Sequence, residues 1–145
     1  MTETIGTLIV GVLGGIAVGT QAPIAGAMGQ RVGGLASSFV VHLGGAVVSG
    51  LLLLARRGEP IGDWRTLPWY MMGAGVFGVI LYLTLTHTVP RLGAAGSLTL
   101  VIVGQLVAGM IIDQFGLLGM APRPVDLNRL VAFGFLVTGG YLMVR

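Results

Sequence analysis

Five long apolar runs fill most of this 145-residue chain and decide which solvent it can fold in. A helix of about 20 residues, rising 1.5 Å per residue, crosses a hydrocarbon layer of about 30 Å. The runs approach that length and leave too little polar surface to cover a water-soluble core. We therefore predict an all-α integral membrane protein whose five transmembrane helices form a single domain, residues 1–145. The predicted spans are residues 5–30, 35–55, 67–86, 94–115 and 128–144.

The composition supports a membrane protein and argues against several other classes. Charged residues make up 9% of the chain, against about 25% in soluble domains. The net charge of +3 comes from scattered arginines, so we expect no nucleic-acid partner. The chain has no cysteine, no paired metal-binding histidines and no nucleophile beside a base. The sequence therefore predicts no enzyme activity, no metal site and no cofactor.

The arginines predict an orientation in the membrane only weakly. With five spans, the amino terminus shares one side of the membrane with the second and fourth loops. That side carries five of the eight arginines, and arginine-rich loops face the cytoplasm. Two interpretations follow for a multi-pass protein of the cell (inner) membrane. Either the chain inserts both ways up, which is dual topology, or Arg56 and Arg57 fix a single orientation.

Small residues recur at intervals of four inside the predicted spans, among 26 glycines in all. Such stripes allow helix backbones to approach closely in lipid. They predict either simple bundle packing or helices that slide between two states. The predicted packing residues are Gly11, Gly15, Gly19, Ala74, Gly78, Gly104 and Ala108.

His42 is a titratable residue within the second predicted span. It shares one helical face with Ser38, Gly45 and Ser49. Such a residue usually faces the interior of the bundle or a wet cavity, and an imidazole can exchange a proton near neutral pH. The alternative is a neutral ring that bonds a carbonyl or hydroxyl group of the next helix.

Two glutamines and one aspartate are the other informative polar residues inside the spans. Gln21 lies just before Pro23, which predicts a kink or break in the first helix and a ligand site beside it. Gln105 lies mid-span in the fourth helix between small neighbours. Asp113 lies near the carboxyl end of that helix, where the helix dipole is unfavourable to an anion.

Asp113 therefore needs a stabilising partner or a function. It can form a salt bridge with Arg123 or Arg129, or it can act in ion or proton coupling. The residues alone leave both interpretations open.

The ordered motifs resemble those of a known family over nearly the whole chain. They are PRLGA from Pro90, GQ at Gly104, DQFGLLG from Asp113, and then Arg129. This set is similar to that of the short, five-helix YdcZ-like branch of the drug/metabolite transporter superfamily. Long members of that superfamily contain two five-helix halves of inverted topology.

The resemblance implies that this chain is one such half and pairs antiparallel with itself or with a sister chain. Alternating access would then arise from rocking of the two halves about a central site. By position, Gln21, Gln105 and Asp113 match recurring polar residues of the family. Ala25 departs from the family pattern, which has asparagine there, and His42 stands where glycine is more common.

The expected function is transport of a small metabolite or an amphipathic, drug-like compound. The other expected partners are membrane lipid and a second copy or sister chain. His42 and Asp113 are the candidates for proton or ion coupling. The alternatives are a small dual-topology ion channel and a non-transporting subunit of a larger complex. The predicted substrate-binding residues are Gln21, Ser38, His42, Tyr82 and Gln105.

Overall fold

The computed structural model describes residues 2–56 and 58–145, and within these ranges the protein is helical without β-strands. Short 3-10 turns, Ile61–Thr66 and Leu117–Gly119, lie in the connections. This confirms the predicted all-α class. Arg57, one of the two residues invoked for a fixed orientation, lies outside the described residues. The helices are α1 (Thr2–Val32), α2 (Gly34–Arg56), the one-turn α3 (Trp69–Met72), α4 (Ala74–Phe115) and α5 (Leu127–Val144).

Bulky apolar side chains cover the outside of these helices. Leu54 and Phe135 are each 74% exposed, and Val10 is 68% exposed. An apolar exterior of this extent is stable in lipid and would aggregate in water. The protein is therefore a multi-pass membrane protein. Among the described residues, four helical stretches are long and apolar enough to cross a membrane: Glu3–Val32, Gly34–Arg56, Trp69–Phe115 and Leu127–Val144.

A single glycine interrupts α4. Gly93 has φ 72° and ψ 169°, a combination essentially restricted to glycine. It divides α4 into a first segment, residues 74–92, and a second segment, residues 94–115. We expected the third span to end at residue 86 and a loop to follow. Helical backbone instead continues to Leu92 because a proline such as Pro90 is tolerated inside a membrane helix.

The first helix also continues where the sequence predicted a kink or break. α1 runs from Thr2 to Val32 with Pro23 inside it and no non-helical residue. It ends at Gly33, whose φ of 88° is left-handed and whose N–H donates to the Gly29 carbonyl at 3.0 Å. α2 begins at the next residue, so one glycine connects the two helices.

The chain forms two compact units, one of residues 1–20 with 91–145 and one of Gln21–Pro90. In the Gln21–Pro90 unit, small residues of α1 pack against the first segment of α4. A Cβ added at Gly29 would lie 2.7 Å from the Thr86 Cβ. Ala22 and Ala25 are buried on the same face of α1. Close backbone approach therefore stabilises this unit, as is usual in lipid.

In the unit of residues 1–20 and 91–145, α5 packs against the second segment of α4 in the same way. A Cβ at Gly140 would lie 3.0 Å from the Thr99 Cγ2, and one at Gly96 would lie 3.5 Å from the Val144 Cγ2. Ser97 is buried here, and its hydroxyl donates to the Gly93 carbonyl at 2.8 Å.

Most residues of the predicted packing stripe face open space within a single chain. A Cβ at Gly11, Gly15, Gly19 or Gly104 would meet no atom within 4 Å. Ala74 and Ala108 are exposed. Gly78 differs, because a Cβ there would lie 3.1 Å from the His42 Nε2. Except at Gly78, packing by this stripe stays a prediction.

We predict that Gly93→Ala destabilises the protein by about 1–3 kcal/mol, because alanine is strained at this φ and ψ. Thermal unfolding of purified protein in one detergent measures the change. Gly44→Ala is the matched control, because Gly44 is helical and its added Cβ would meet nothing within 4 Å. Equal melting temperatures for the two variants would contradict the prediction.

Candidate functional site

Three of the predicted site residues lie together in the Gln21–Pro90 unit. The His42 Nδ1 is 2.7 Å from the Ser38 carbonyl oxygen and 3.3 Å from the Ser38 hydroxyl. The ring of Tyr82, from α4, meets the imidazole edge-on, with a centroid distance of 6.0 Å and an interplanar angle of 69°. Ser38 and Tyr82 are buried, whereas His42 is exposed in the single chain.

The hydrogen bond at Nδ1 determines what the neutral imidazole of His42 offers. A carbonyl oxygen only accepts, so the ring N–H lies on Nδ1 and donates to Ser38. In this neutral tautomer Nε2 is the ring nitrogen that can accept a hydrogen bond. The predicted alternative, a bond to the next helix, is wrong because the carbonyl belongs to α2 itself, one turn back. Glycine at position 78 leaves the room that the ring occupies.

Tyr82 is held mainly by packing. Its hydroxyl donates to the Met28 Sδ at 3.7 Å, a weak hydrogen bond to a thioether. This contact links α1 to α4, and His42 links α2 to the same tyrosine. The three helices of this unit therefore converge on one aromatic ring.

The two glutamines that were predicted to bind substrate differ from His42 and Tyr82 in their contacts. Gln21 and Gln105 are both exposed, and neither side chain makes a hydrogen bond among the described residues. Gln21 belongs to the Gln21–Pro90 unit, and Gln105 belongs to the other unit. An amide at membrane depth without a partner is costly, so each requires a wet surface or another chain.

Asp113 forms a salt bridge with Arg129, one of the two partners considered from the sequence. The Arg129 Nη1 lies 3.2 Å from the Asp113 Oδ2, and the side chains are 36% and 32% exposed. The backbone N–H of Arg129 donates to the Asp126 Oδ1 at 2.8 Å, which caps α5. Arg123 contacts Asp113 through its backbone, N–H to carbonyl, at 2.7 Å.

This ion pair lies on a cavity of about 290 Å³ between α5 and the second segment of α4. The lining residues repeat at helical spacing from each charged residue, so both helices present one face to the cavity. Sequence analysis missed these walls because apolar residues carry no signal of their own in a membrane helix. The lining is Leu106, Gly109, Met110, Asp113, Arg129, Ala132, Phe133 and Leu136.

The described residues contain no group of three histidine, aspartate or glutamate side chains that could hold a metal ion.

Comparison with known families identifies the chain. Residues 6–142 match the family model described as "Putative inner membrane exporter, YdcZ". The chain belongs to the YdcZ family. The match confirms the resemblance found from the motifs and locates the protein in the inner membrane. Membership of the YdcZ family supports membrane transport as the general function. Searches of curated proteins and of solved structures found no match.

We predict a small coupling energy between Asp113 and Arg129, about 0.2–1 kcal/mol, because both side chains are about one-third exposed. A double-mutant cycle with Asp113→Asn and Arg129→Gln, followed by thermal unfolding, measures it. The coupling should fall as salt is added. Strictly additive effects of the two substitutions would show that the contact contributes nothing to stability.

Proposed function

We propose that this protein exports a small metabolite or amphipathic compound by alternating access, as an antiparallel dimer of two five-helix chains. Family membership supports the general function, because the YdcZ description is that of an inner membrane exporter. One structural observation carries the finer proposal. Gln21 and Gln105 are exposed within long apolar helices, and their side chains make no hydrogen bond among the described residues.

The exposure of these amides supports a dimer around a wet path. Polar side chains inside membrane helices face other helices or water-filled cavities, because contact with acyl chains is costly. A second copy would provide both a covering surface and an enclosed path. The open stripe of Gly11, Gly15 and Gly19 supports this step, because an added Cβ would meet nothing there and a flat surface accepts another helix.

The break at Gly93 supports five crossings rather than four. The apolar stretch Trp69–Phe115 has 47 residues, more than twice the length of about 20 that one crossing needs. We propose that residues 69–92 and 94–115 cross separately. Five crossings place the two chain ends on opposite sides, and the weak arginine bias then permits insertion in both orientations.

In this proposal, the path residues of the Gln21–Pro90 unit are Gln21, Ser38, His42 and Tyr82. Gln105 stays a predicted substrate-binding residue of its own unit. His42 is the favoured coupling residue. It is exposed, and its Nε2 has a free lone pair because Nδ1 donates to the Ser38 carbonyl. Asp113 is the second candidate for coupling, and its carboxylate is already paired with Arg129.

We predict that the amino terminus lies on both sides of the inner membrane. The chain has no cysteine, so Thr4→Cys provides a unique label for a membrane-impermeant maleimide on intact cells. Dual topology should label roughly half of the molecules from outside, because insertion follows a weak charge bias. Gly62→Cys, in the loop before α3, should give the same fraction. Complete labelling or none at both positions would establish one orientation and exclude an antiparallel homodimer.

We predict that His42→Ala lowers transport at least about tenfold and removes its pH dependence, as expected for loss of a proton-transfer group. The assay is counterflow in proteoliposomes, with a radiolabelled metabolite selected because it raises the melting temperature of the purified protein. Ser49→Ala is the control, since the Ser49 hydroxyl bonds the Gly45 carbonyl of its own helix.

Unchanged transport and an unchanged pH profile in His42→Ala would remove the histidine from the mechanism. A current that rises linearly with voltage and does not saturate with solute would replace the carrier with a channel. Absence of flux for every stabilising compound would favour the non-transporting subunit.

A further inference from the structure

We propose that the cavity between α5 and the second segment of α4 binds a small zwitterion that carries one apolar group. The proposal names a substrate class and rests on the proposed export function, although binding can be measured without transport. It requires only the unit of residues 1–20 and 91–145, because every lining residue belongs to that unit.

The charged pair at the cavity retains capacity for a ligand. A single contact joins the Arg129 Nη1 to the Asp113 Oδ2 at 3.2 Å. The remaining guanidinium N–H groups and the second carboxylate oxygen have no other partner among the described residues. Both side chains are only about one-third exposed and both line the cavity. A ligand inside the cavity can therefore reach the two opposite charges together.

The Asp113–Arg129 ion pair favours a ligand that carries both a positive and a negative charge. A purely anionic ligand would bring a second negative charge beside Asp113 and leave the site with one uncompensated charge. A purely cationic ligand would bring a second positive charge beside Arg129, with the same result. A zwitterion can offer an ammonium group to Asp113 and an acid group to Arg129, so both charges gain a charge-assisted hydrogen bond. The net charge of the site stays unchanged.

The cavity walls select the rest of the ligand. The apolar wall of the cavity is formed by Leu106, Met110, Phe133 and Leu136. Gly109 has no side chain and therefore widens the cavity. The volume of about 290 Å³ lies just below the range for ligand pockets, about 300–1,000 Å³, so the ligand must be small. A soluble compound with one short branched or aromatic group matches this volume, and the proposal commits to that occupant. Zwitterionic lipids such as phosphatidylethanolamine share the headgroup chemistry, and their binding is an outcome of the test.

Binding of L-leucine to the purified full-length protein in detergent tests the charge rule. Three probes each lack one feature of leucine: 4-methylpentanoate lacks the amine, 3-methylbutylamine lacks the acid, and glycine lacks the apolar group. Isothermal titration calorimetry should give saturable binding of leucine. We expect each of the three to bind at least about tenfold more weakly, which corresponds to about 1.4 kcal/mol. Equal binding of leucine and either singly charged probe would overturn the proposal.

Substitutions locate the site. Asp113→Asn and Arg129→Gln should each weaken leucine binding at least about tenfold, because each leaves one ligand charge unpaired. Ala132→Leu keeps both charges but fills the cavity, and it should have the same effect. Arg123→Gln is the matched control, because Arg123 lies close in sequence but does not line the cavity. Size-exclusion chromatography and melting temperature establish that each variant is folded.

The remaining outcomes distinguish failure of the proposed binding site from failure of the proposed export function. Equal loss of binding in Arg123→Gln and Arg129→Gln would overturn the proposal, as would stabilisation by phosphatidylethanolamine nanodiscs without any effect of leucine. Leucine binding without counterflow would sustain the site and refute export of this compound. Saturable transport of another compound, with no leucine binding, would sustain the exporter and refute this site.

Discussion

Backbone hydrogen bonding in hydrocarbon is the constraint on which this structure depends. No water is present to bond an exposed N–H or C=O group, so each must find a partner within the protein. Long uninterrupted helices satisfy this requirement, and the two glycine interruptions satisfy it locally. The Gly33 N–H donates to the Gly29 carbonyl, and the Gly93 carbonyl accepts from the Ser97 hydroxyl. At both glycines, a bond within the protein accompanies the change in backbone conformation.

In lipid, large apolar and small side chains also exchange the positions that they usually take in a water-soluble protein. Large apolar residues face outward, and the contacts inside each unit rely on glycine, alanine and hydroxyl residues. Gly29 against Thr86 and Gly140 against Thr99 are two examples. Because apolar side chains gain nothing by leaving lipid for one another, close packing and hydrogen bonding hold the helices together. The few polar groups, such as His42 and the Asp113–Arg129 pair, are then prominent candidates for function.

The sequence predicted those parts of the structure that follow from length and hydropathy. The α2 and α5 helices agree with their predicted spans to within one residue at each end. The alternative of a break at Pro23 and the end of the third span at residue 86 were wrong, because proline is tolerated in membrane helices. A kink at Pro23 stays a prediction. The sequence identified Asp113 and its partner Arg129, but not the cavity walls. Its choice of packing glycines overlooked Gly26 and Gly29, although Ala22, Ala25 and these two form a stripe at helical spacing.

The one-residue connection at Gly33 has a consequence for how the molecule can be recognised from water. α1 and α2 meet there without a loop, and Arg31 is the only charged residue close to the turn. A protease needs several extended residues in its cleft, and an antibody needs an accessible epitope. The turn at Gly33 offers neither, whereas the stretch from Gly58 to Pro68 exposes both acidic and basic side chains. Proteases and antibodies added from the aqueous side should therefore bind the stretch from Gly58 to Pro68 rather than the turn at Gly33.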